Sequence, residues 1–427
     1  MRAKKWIALL LAGVTLAVLA ATASGRPAET NALNRTSEEV TITFWNGFTG
    51  PDRPALEALV NKFNAANRGK IKIDMSIMPW DVFFQKLLPS WASGKGPHLV
   101  GFDAAQMPQY ADKGVLAPLD DLYSKGLQKS KLVASSVNAG RWNGKYYSVP
   151  MNFTTLLLYW NKSMFKAAGV KGPPKTWAQW QQAAVKLTID KNKDGKPEQY
   201  GYAIADHATI PMWPILLWGN GGDVVSADGK RPMLGSAASI AAVDQWAKLV
   251  IDKKISPVGL AGADADNLFL SKKAAMEVVG PWMTTGFKKA GIDFGLAMVP
   301  KGPKRQVTLG TSVHYAVGAR TNSETKTAIY KWITFWNSKP SQISWALGSG
   351  FPPTRTDIPA SAFEKNPYVA DFARFAGQSQ FYLRNVKNFS QVNGNVFESS
   401  IQRILNKKGS TRDVLTKASK QLEPLLK

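Results

Sequence analysis

Apolar and polar residues alternate over Val40-Thr41-Ile42-Thr43-Phe44-Trp45, and side chains with that period stand on opposite faces of a strand. After a loop at Asn46 to Pro51, the period changes. Leu56, Leu59, Val60 and Phe63 recur at i, i+3, i+4 and i+7 and share one helical face. Asp52 is a candidate N-cap for this helix, Pro54 suits its first turn, and Gly69 ends it. Ile71, Ile73, Met75 and Ile77 alternate again. A strand, a helix and a strand in succession predict an α/β fold whose mostly parallel sheet is covered by helices.

The same reading continues along the chain. Phe83, Phe84, Leu87 and Leu88 form a second helical face, and Leu99 to Phe102 is a short apolar strand. Arg141 to Tyr147 has the form of a hairpin turning on Asn143-Gly144. Helices are predicted at Trp177 to Leu187 with Thr176 as cap, Ser236 to Lys253, Glu324 to Asn337, Val396 to Lys408 and Thr411 to Leu426. Ser410 with Asp413 makes a capping box for the last. Ala274 to Val279 is a buried-strand run that Gly280-Pro281 ends sharply, and Phe294 to Val299 is another that ends at Pro300.

Two side chains stand at strand ends, where open α/β sheets bind ligands. Trp282 follows the Gly280-Pro281 turn, and Asp103 closes the Leu99 strand. Each has a plain structural alternative: a core tryptophan behind a tight turn, and an N-cap for the segment from Ala104. Asp190-Lys-Asn192-Lys-Asp194-Gly195 resembles half of a calcium loop. Its twelfth position is Gly201 rather than the bidentate glutamate such a loop needs, so a tight turn is the expectation.

The order of motifs carries a family resemblance. Ala274-Ala275-Met276, an apolar run, Gly280-Pro281-Trp282, a helix, a strand and Pro300 resemble the carbohydrate-binding subunits of bacterial ATP-binding-cassette importers, the maltose-binding-protein-like solute-binding proteins. FWNGFTGPDRPALEALVNKFNAAN looks like that family's first strand, ligand loop and first helix. GKGPHLVGFDAAQMPQYADKGVLAPLDDLY looks like its third strand and following helix, and Val149 to Lys162 like its first crossing between domains. Gly310 to Val317 and Gly350 to Arg355 look like later crossings. The resemblance covers about residues 40 to 427.

It implies a two-lobed periplasmic-binding-protein fold of the type II kind, with a ligand cleft between lobes and a hinge of several chain crossings. Lobe one is expected from 40–150 plus 303–350, and lobe two from 151–302 plus 351–427. The implied ligand-binding residues are Phe48, Trp80, Asp81, Asp103, Asn152, Thr154, His207, Trp213, Trp218, Trp282, Thr311 and Phe351. Trp213 and Trp218 are five apart and do not share a helical face well, so one is expected in the cleft and one in the core. Maltose-type relatives place a carboxylate near Thr154, and this chain has none there. The implied function is an extracytoplasmic receptor that closes on a sugar or oligosaccharide and delivers it to the inner-membrane permease subunits of an importer. The ATPase would be contacted only indirectly. A monomer without cofactor or metal is expected.

Composition narrows the alternatives. There are no cysteines and only three histidines, which leaves no disulfide, no thiol chemistry and little for a histidine-based metal centre. Arg2, Lys4 and Lys5 precede an apolar run from Ile7 to Ala20, and Ala21-Thr22-Ala23 fits a signal-peptidase site. Residues 1–23 therefore read as an export signal without a lipid-attachment cysteine, and 24–39 as a flexible leader. The formal charge is +24, and without Arg2, Lys4 and Lys5 there remain 51 basic against 30 acidic side chains. The lysines are dispersed, and export argues against nucleic acid. The charge leaves open an anionic ligand such as a uronide or a glycerol phosphate ester, for which Arg384 and Arg355 are the candidate partners. A secreted glycosidase or lyase needs two opposed carboxylates. Only Asp81 and Asp103 are available in the candidate loops, with no nucleophile elbow and no zinc signature.

Overall fold

A computed structural model describes residues 38–208 and 210–427. The export-signal reading lies outside these residues, as does nearly all of the leader. Among the described residues no helix is long and apolar enough to cross a membrane.

The first predicted unit forms as its periodicity dictates. β1 (Val40–Asn46) pairs in parallel with β2 (Ile71–Ile77), and the helix Arg53–Ala66 between them buries Leu56, Leu59, Val60 and Phe63. β3 (Leu99–Asp103) joins β1 in parallel. The hairpin β4 (Arg141–Trp142) and β5 (Lys145–Tyr146) turns on Asn143 and Gly144, both at positive φ. β6 (Ser148–Pro150) then completes a five-stranded sheet of order β2-β1-β3-β12-β6, in which β12 (Val313–Val317) runs antiparallel to both neighbours. Helices Ser323–Trp336 and Lys339–Ser349 bring Trp332, Trp336 and Trp345 into the same core.

The second lobe is built on a smaller sheet. β7 (Thr154–Thr155) leads into β8 (Leu157–Asn161), which is flanked on both sides by antiparallel partners, β9 (Met276–Val279) and β10 (Phe294–Ala297). Helices Trp177–Lys186, Ala237–Lys253 and Thr411–Leu422 cover it, the first and last capped by Thr176 and Ser410 as the sequence predicts, and the second by Ser236. The Asp190 loop is a turn: the Asp190 carboxylate accepts from the Gly195 N–H at 2.9 Å and Asn192 from Asp194 N–H at 3.1 Å.

Between the sheets lies a third. β11 (Thr308–Thr311) pairs antiparallel with β7 and parallel with β13 (Ser379–Phe381). The chain thus leaves the large sheet after β6, runs through β7 into the small sheet, and returns through β11 to β12. The crossing expected from Gly310 begins as the strand Thr308–Thr311, paired on both edges. Two local expectations need correction. Asp52 holds the N-cap position but makes no capping bond, since its side chain is buried instead. The predicted helix from Val396 starts earlier, as a wide-turned π segment over Gln391–Glu398 that continues into Ser399–Leu405.

Candidate functional site

β1, β3 and β6 run parallel, so their carboxyl ends open on one edge of the large sheet. Asn46 ends β1, Asp103 ends β3, and Asn152 lies two residues past β6. Asp103 does two things at once. One carboxylate oxygen accepts from the Ala105 N–H at 2.7 Å, which caps the turn after β3, and the other accepts from the Thr311 hydroxyl at 2.6 Å. Burial pushes its carboxyl above the usual range, and these two donors pull it back. Thr311 faces Thr154 in the register of the crossing sheet, so four predicted residues, Asp103, Thr311, Thr154 and Asn152, meet here. The Asn152 side-chain oxygen accepts from Val313 N–H at 2.8 Å. Its amide N–H₂ is buried without a protein partner, and so is that of Asn46. Buried donors are normally paired, so two free amides at one sheet edge point to an acceptor from outside the chain.

A row of rings runs beside this polar group. Trp80 and Phe48 are 5.7 Å apart between centroids, Phe48 and Trp345 5.7 Å, Trp345 and Phe351 5.4 Å, and Phe351 and Trp282 6.1 Å. The row begins on the loops of the large sheet and ends on the turn after β9, and half-buried Trp282 packs against the cores of both lobes. Glycine makes this possible at both ends. A Cβ at Gly47 would strike the Trp80 ring, and one at Gly280 the Trp282 ring, so each indole lies flat on bare backbone. Aromatic pairs of this kind contribute about 0.5–1.5 kcal/mol beyond area burial. Elsewhere the lobes meet where Ser390 donates to the Gln109 side-chain oxygen at 3.0 Å.

His207 lies in a separate polar cluster. Its Nδ1 is 2.6 Å from Asp206 Oδ1 and 3.1 Å from the Gln402 amide nitrogen, and the neighbouring Ala208 N–H donates to Glu398 at 3.0 Å. Glu398 closes the π segment, and burial raises its carboxyl above the usual range. Asp206, Glu398 and Gln402 escape the sequence reading, as do Asn46 and Trp345. A π turn among polar residues is a signal for function, but only the backbone reveals it.

Three expected residues do not join either cluster. Trp213 is 2% exposed with its indole N–H donating to Ala205 O at 3.1 Å, and Trp218 is fully buried. Both are core rings, because the helix Trp213–Gly219 is buried on every side and has no polar face to offer the cleft. Asp81 is exposed in the first turn of helix Trp80–Ala92, where its charge suits the helix end. Two open cavities are lined largely by other residues, though the first reaches Phe153, between Asn152 and Thr154. One of about 640 Å³ has Phe153, Trp218, Asp223, Gln380, Phe381 and Arg384 in its walls, and one of about 840 Å³ reaches from Arg141 to Arg384. The sheet edge carries free amides and a bare tryptophan turn, whereas the walls of these hollows carry no orphaned donor except the Trp142 and Trp218 indoles.

Residues 58–371 match the family model of the bacterial extracellular solute-binding proteins. The chain belongs to this family. A putative binding protein of Brucella abortus is 25% identical to this solute-binding protein over 99% of each chain. The maltotriose-binding protein of Pyrococcus abyssi is 26% identical over 78% of this chain and 71% of its own. Among solved structures, an importer's solute-binding protein from Thermotoga lettingae bound to alpha-D-tagatose superposes with a TM-score of 0.82, at 21% identity, over 91% of this chain and 100% of that one. The family is one of binding proteins that serve importers, and the neighbours share the two-lobed fold.

Proposed function

We propose that this solute-binding protein is an exported, soluble, monomeric receptor that closes on a carbohydrate and delivers it to the permease of an ATP-binding-cassette importer. The observation that carries this reading is the pairing of Trp282 and its ring row with the Asp103–Thr311 bond and the free Asn46 and Asn152 amides. Sugars offer weakly apolar C–H faces to rings and hydroxyls to carboxylates and amides, and this edge supplies both. The lobes divide as 40–150 plus 303–350 against 151–302 plus 351–427, joined through the crossing strands, and hinge motion there opens and closes the site. The Pyrococcus relative is a maltotriose-binding protein and the Thermotoga neighbour holds alpha-D-tagatose, which supports sugar as the ligand class.

Trp80 and Trp282, both half-buried, supply ring surface in this reading, and Phe48 and Phe351, buried in the core of the first lobe, back them. Asp103, Thr311, Asn152 and Thr154 supply hydrogen bonds, and His207 lies with Asp206, Glu398 and Gln402 on the second lobe. A hydroxyl bonded to a buried carboxylate contributes about 1.5–3 kcal/mol. Thermal unfolding against a panel of mono- and oligosaccharides is the test: a stabilising sugar supports the reading, and a panel without effect removes it. An anionic ligand retains one candidate partner, since Arg384 lines the 640 Å³ cavity. Arg355 is no longer available, because its buried guanidinium is held by Asp357 at 2.8 Å, Gln128 at 2.8 Å and Asn337 O at 3.0 Å. Stabilisation by sn-glycerol 3-phosphate that fades steeply with salt would favour that second reading.

A further inference from the structure

Four polar side chains are fully buried where the large sheet meets the crossing strands. Ser136 lies on the helix Ala134–Ala139, Ser148 on β6, Ser312 between β11 and β12, and His314 on β12. The helix presses close to β6 because Gly140 ends it, and a Cβ there would meet the Ser148 carbonyl at 2.4 Å. The His314 Nδ1 is 2.9 Å from the Ser148 hydroxyl, and its Nε2 is 3.2 Å from that of Ser136. The Ser136 and Ser312 hydroxyls are 2.6 Å apart, and Ser312 donates to the Asn152 carbonyl.

The last link fixes the proton on every other. A carbonyl only accepts, so Ser312 gives it its single O–H. Ser312 can then only accept from Ser136, and Ser136 only from a proton on His314 Nε2. A neutral imidazole carries one N–H, so Nδ1 is bare and accepts from Ser148. Burial keeps the ring neutral, pushing its imidazole down to about 3. The chain therefore runs one way, from Ser148 through His314, Ser136 and Ser312 to Asn152. Hydrogen bonds in series strengthen one another in a low-dielectric interior, and a fully satisfied series specifies one arrangement. Apolar residues would fill the same space without the cost of desolvation, which marks the chain as a device for position.

What it positions is Asn152. The Asn152 backbone N–H donates to Val313 O at 3.2 Å, and its side-chain oxygen accepts from Val313 N–H at 2.8 Å. With its carbonyl taken by Ser312, only its amide N–H₂ is left without a partner. The Ser312 carbonyl in turn accepts from Ala104 N–H at 2.8 Å, in the turn that Asp103 caps. Residues 311–313 thus hold both Asp103 and Asn152, and the buried chain anchors them from behind. We propose that His314 is a positioning residue for the Asn152 amide, acting through the one-way Ser148–His314–Ser136–Ser312 chain to aim that amide at the ligand. The effect on the ligand rests on the sugar-site reading given above; the effect on Asn152 does not.

Two substitutions separate the halves of the ring. In His314→Gln the amide N–H₂ stands where Nε2–H was, so the donor to Ser136 is kept and the acceptor for Ser148 is lost. In His314→Asn the side-chain oxygen stands where Nδ1 was, so the acceptor is kept and the donor is lost. The protein has only three histidines, so its imidazole nitrogen resonances at pH 7 are few, and those of His314 are the ones that survive in both His98→Gln and His207→Gln. The expected result is a His314 ring protonated on Nε2 alone. Ligand-free, asparagine-labelled protein then gives the Asn152 amide signals, identified by their loss in Asn152→Ala. They are expected at their wild-type positions in His314→Gln and displaced in His314→Asn. Where circular dichroism shows His314→Asn unfolded, Ser136→Ala cuts the same chain and takes its place. Calorimetry with a sugar that binds wild type is expected to show His314→Gln within about twofold of wild type and the chain-cutting variant at least about fivefold weaker. A ring protonated on Nδ1 overturns the proposal, and so do Asn152 signals or affinities that respond alike to both substitutions. A wild type that binds no sugar removes the ligand assignment alone, and the tautomer and amide signals still decide what His314 does for Asn152.

Discussion

Asp103 illustrates how one residue serves structure and site together. Its last-in-strand position was legible in the sequence, and so was the choice between capping and ligand binding; the structure shows the cap, and adds a bond from Thr311 that spans 208 residues of sequence. Thr311→Val removes that donor and leaves one oxygen of the half-buried Asp103 carboxylate without its protein partner, at a cost of about 1 kcal/mol. Urea unfolding is expected to show that loss, and an unchanged midpoint would contradict it. His314 is a second case. It is fully buried between the Ser148 hydroxyl at 2.9 Å and the Ser136 hydroxyl at 3.2 Å, and burial pushes its imidazole down to about 3. The unfolded imidazole binds a proton near its ordinary 6.5 while the folded one does not. Stability is therefore lost as pH falls from about 6.5 toward 3, by several kcal/mol in all. The midpoint of wild type is expected to drop more between pH 7 and pH 4.5 than that of His314→Gln; equal drops would contradict this. Trp213 and Trp218 show what a sequence withholds. Their spacing suggests that they face different ways, but which way is decided by tertiary packing, such as that of Trp218 against Tyr382, and both face the core.

At the scale of elements, the tight turns carry the site. Gly280→Ala drives a methyl into the Trp282 ring, and Gly47→Ala does the same beneath Trp80. Neither glycine needs a left-handed backbone, so the cost falls on the ring's position. Both variants are expected to weaken sugar binding at least about tenfold while lowering stability by only about 1–2 kcal/mol. Titration calorimetry beside thermal unfolding tests this, and a variant that loses stability while binding normally would contradict it. Periodic elements such as β1, β2 and helix Arg53–Ala66 were readable because one buried face imposes a period, and β3 as a short apolar run. β11 was not, because Thr308–Thr311 is buried on all sides and has no alternation to read. The π segment was not readable either, since its sequence has an ordinary helical pattern and only the hydrogen-bond spacing differs.

At the scale of the molecule, two sheets of unequal size are joined by a third made of short crossing strands. Motif order across some 390 residues made that architecture legible, whereas no single motif did. The dispersed positive charge has no counterpart in the ring row or the free amides, and Arg141 and Arg384 bring it to the walls of the two open cavities. The central claim is that Trp282, packed between both lobes on the Gly280 turn, is the platform on which a sugar is held. Calorimetric titration of wild type and Trp282→Ala with maltotriose, and with any other sugar that stabilises the fold, tests it most directly. The expected result is saturable one-site binding by wild type and a loss of about 1–3 kcal/mol in the variant, with its circular dichroism unchanged. Equal affinity in the two proteins would contradict it.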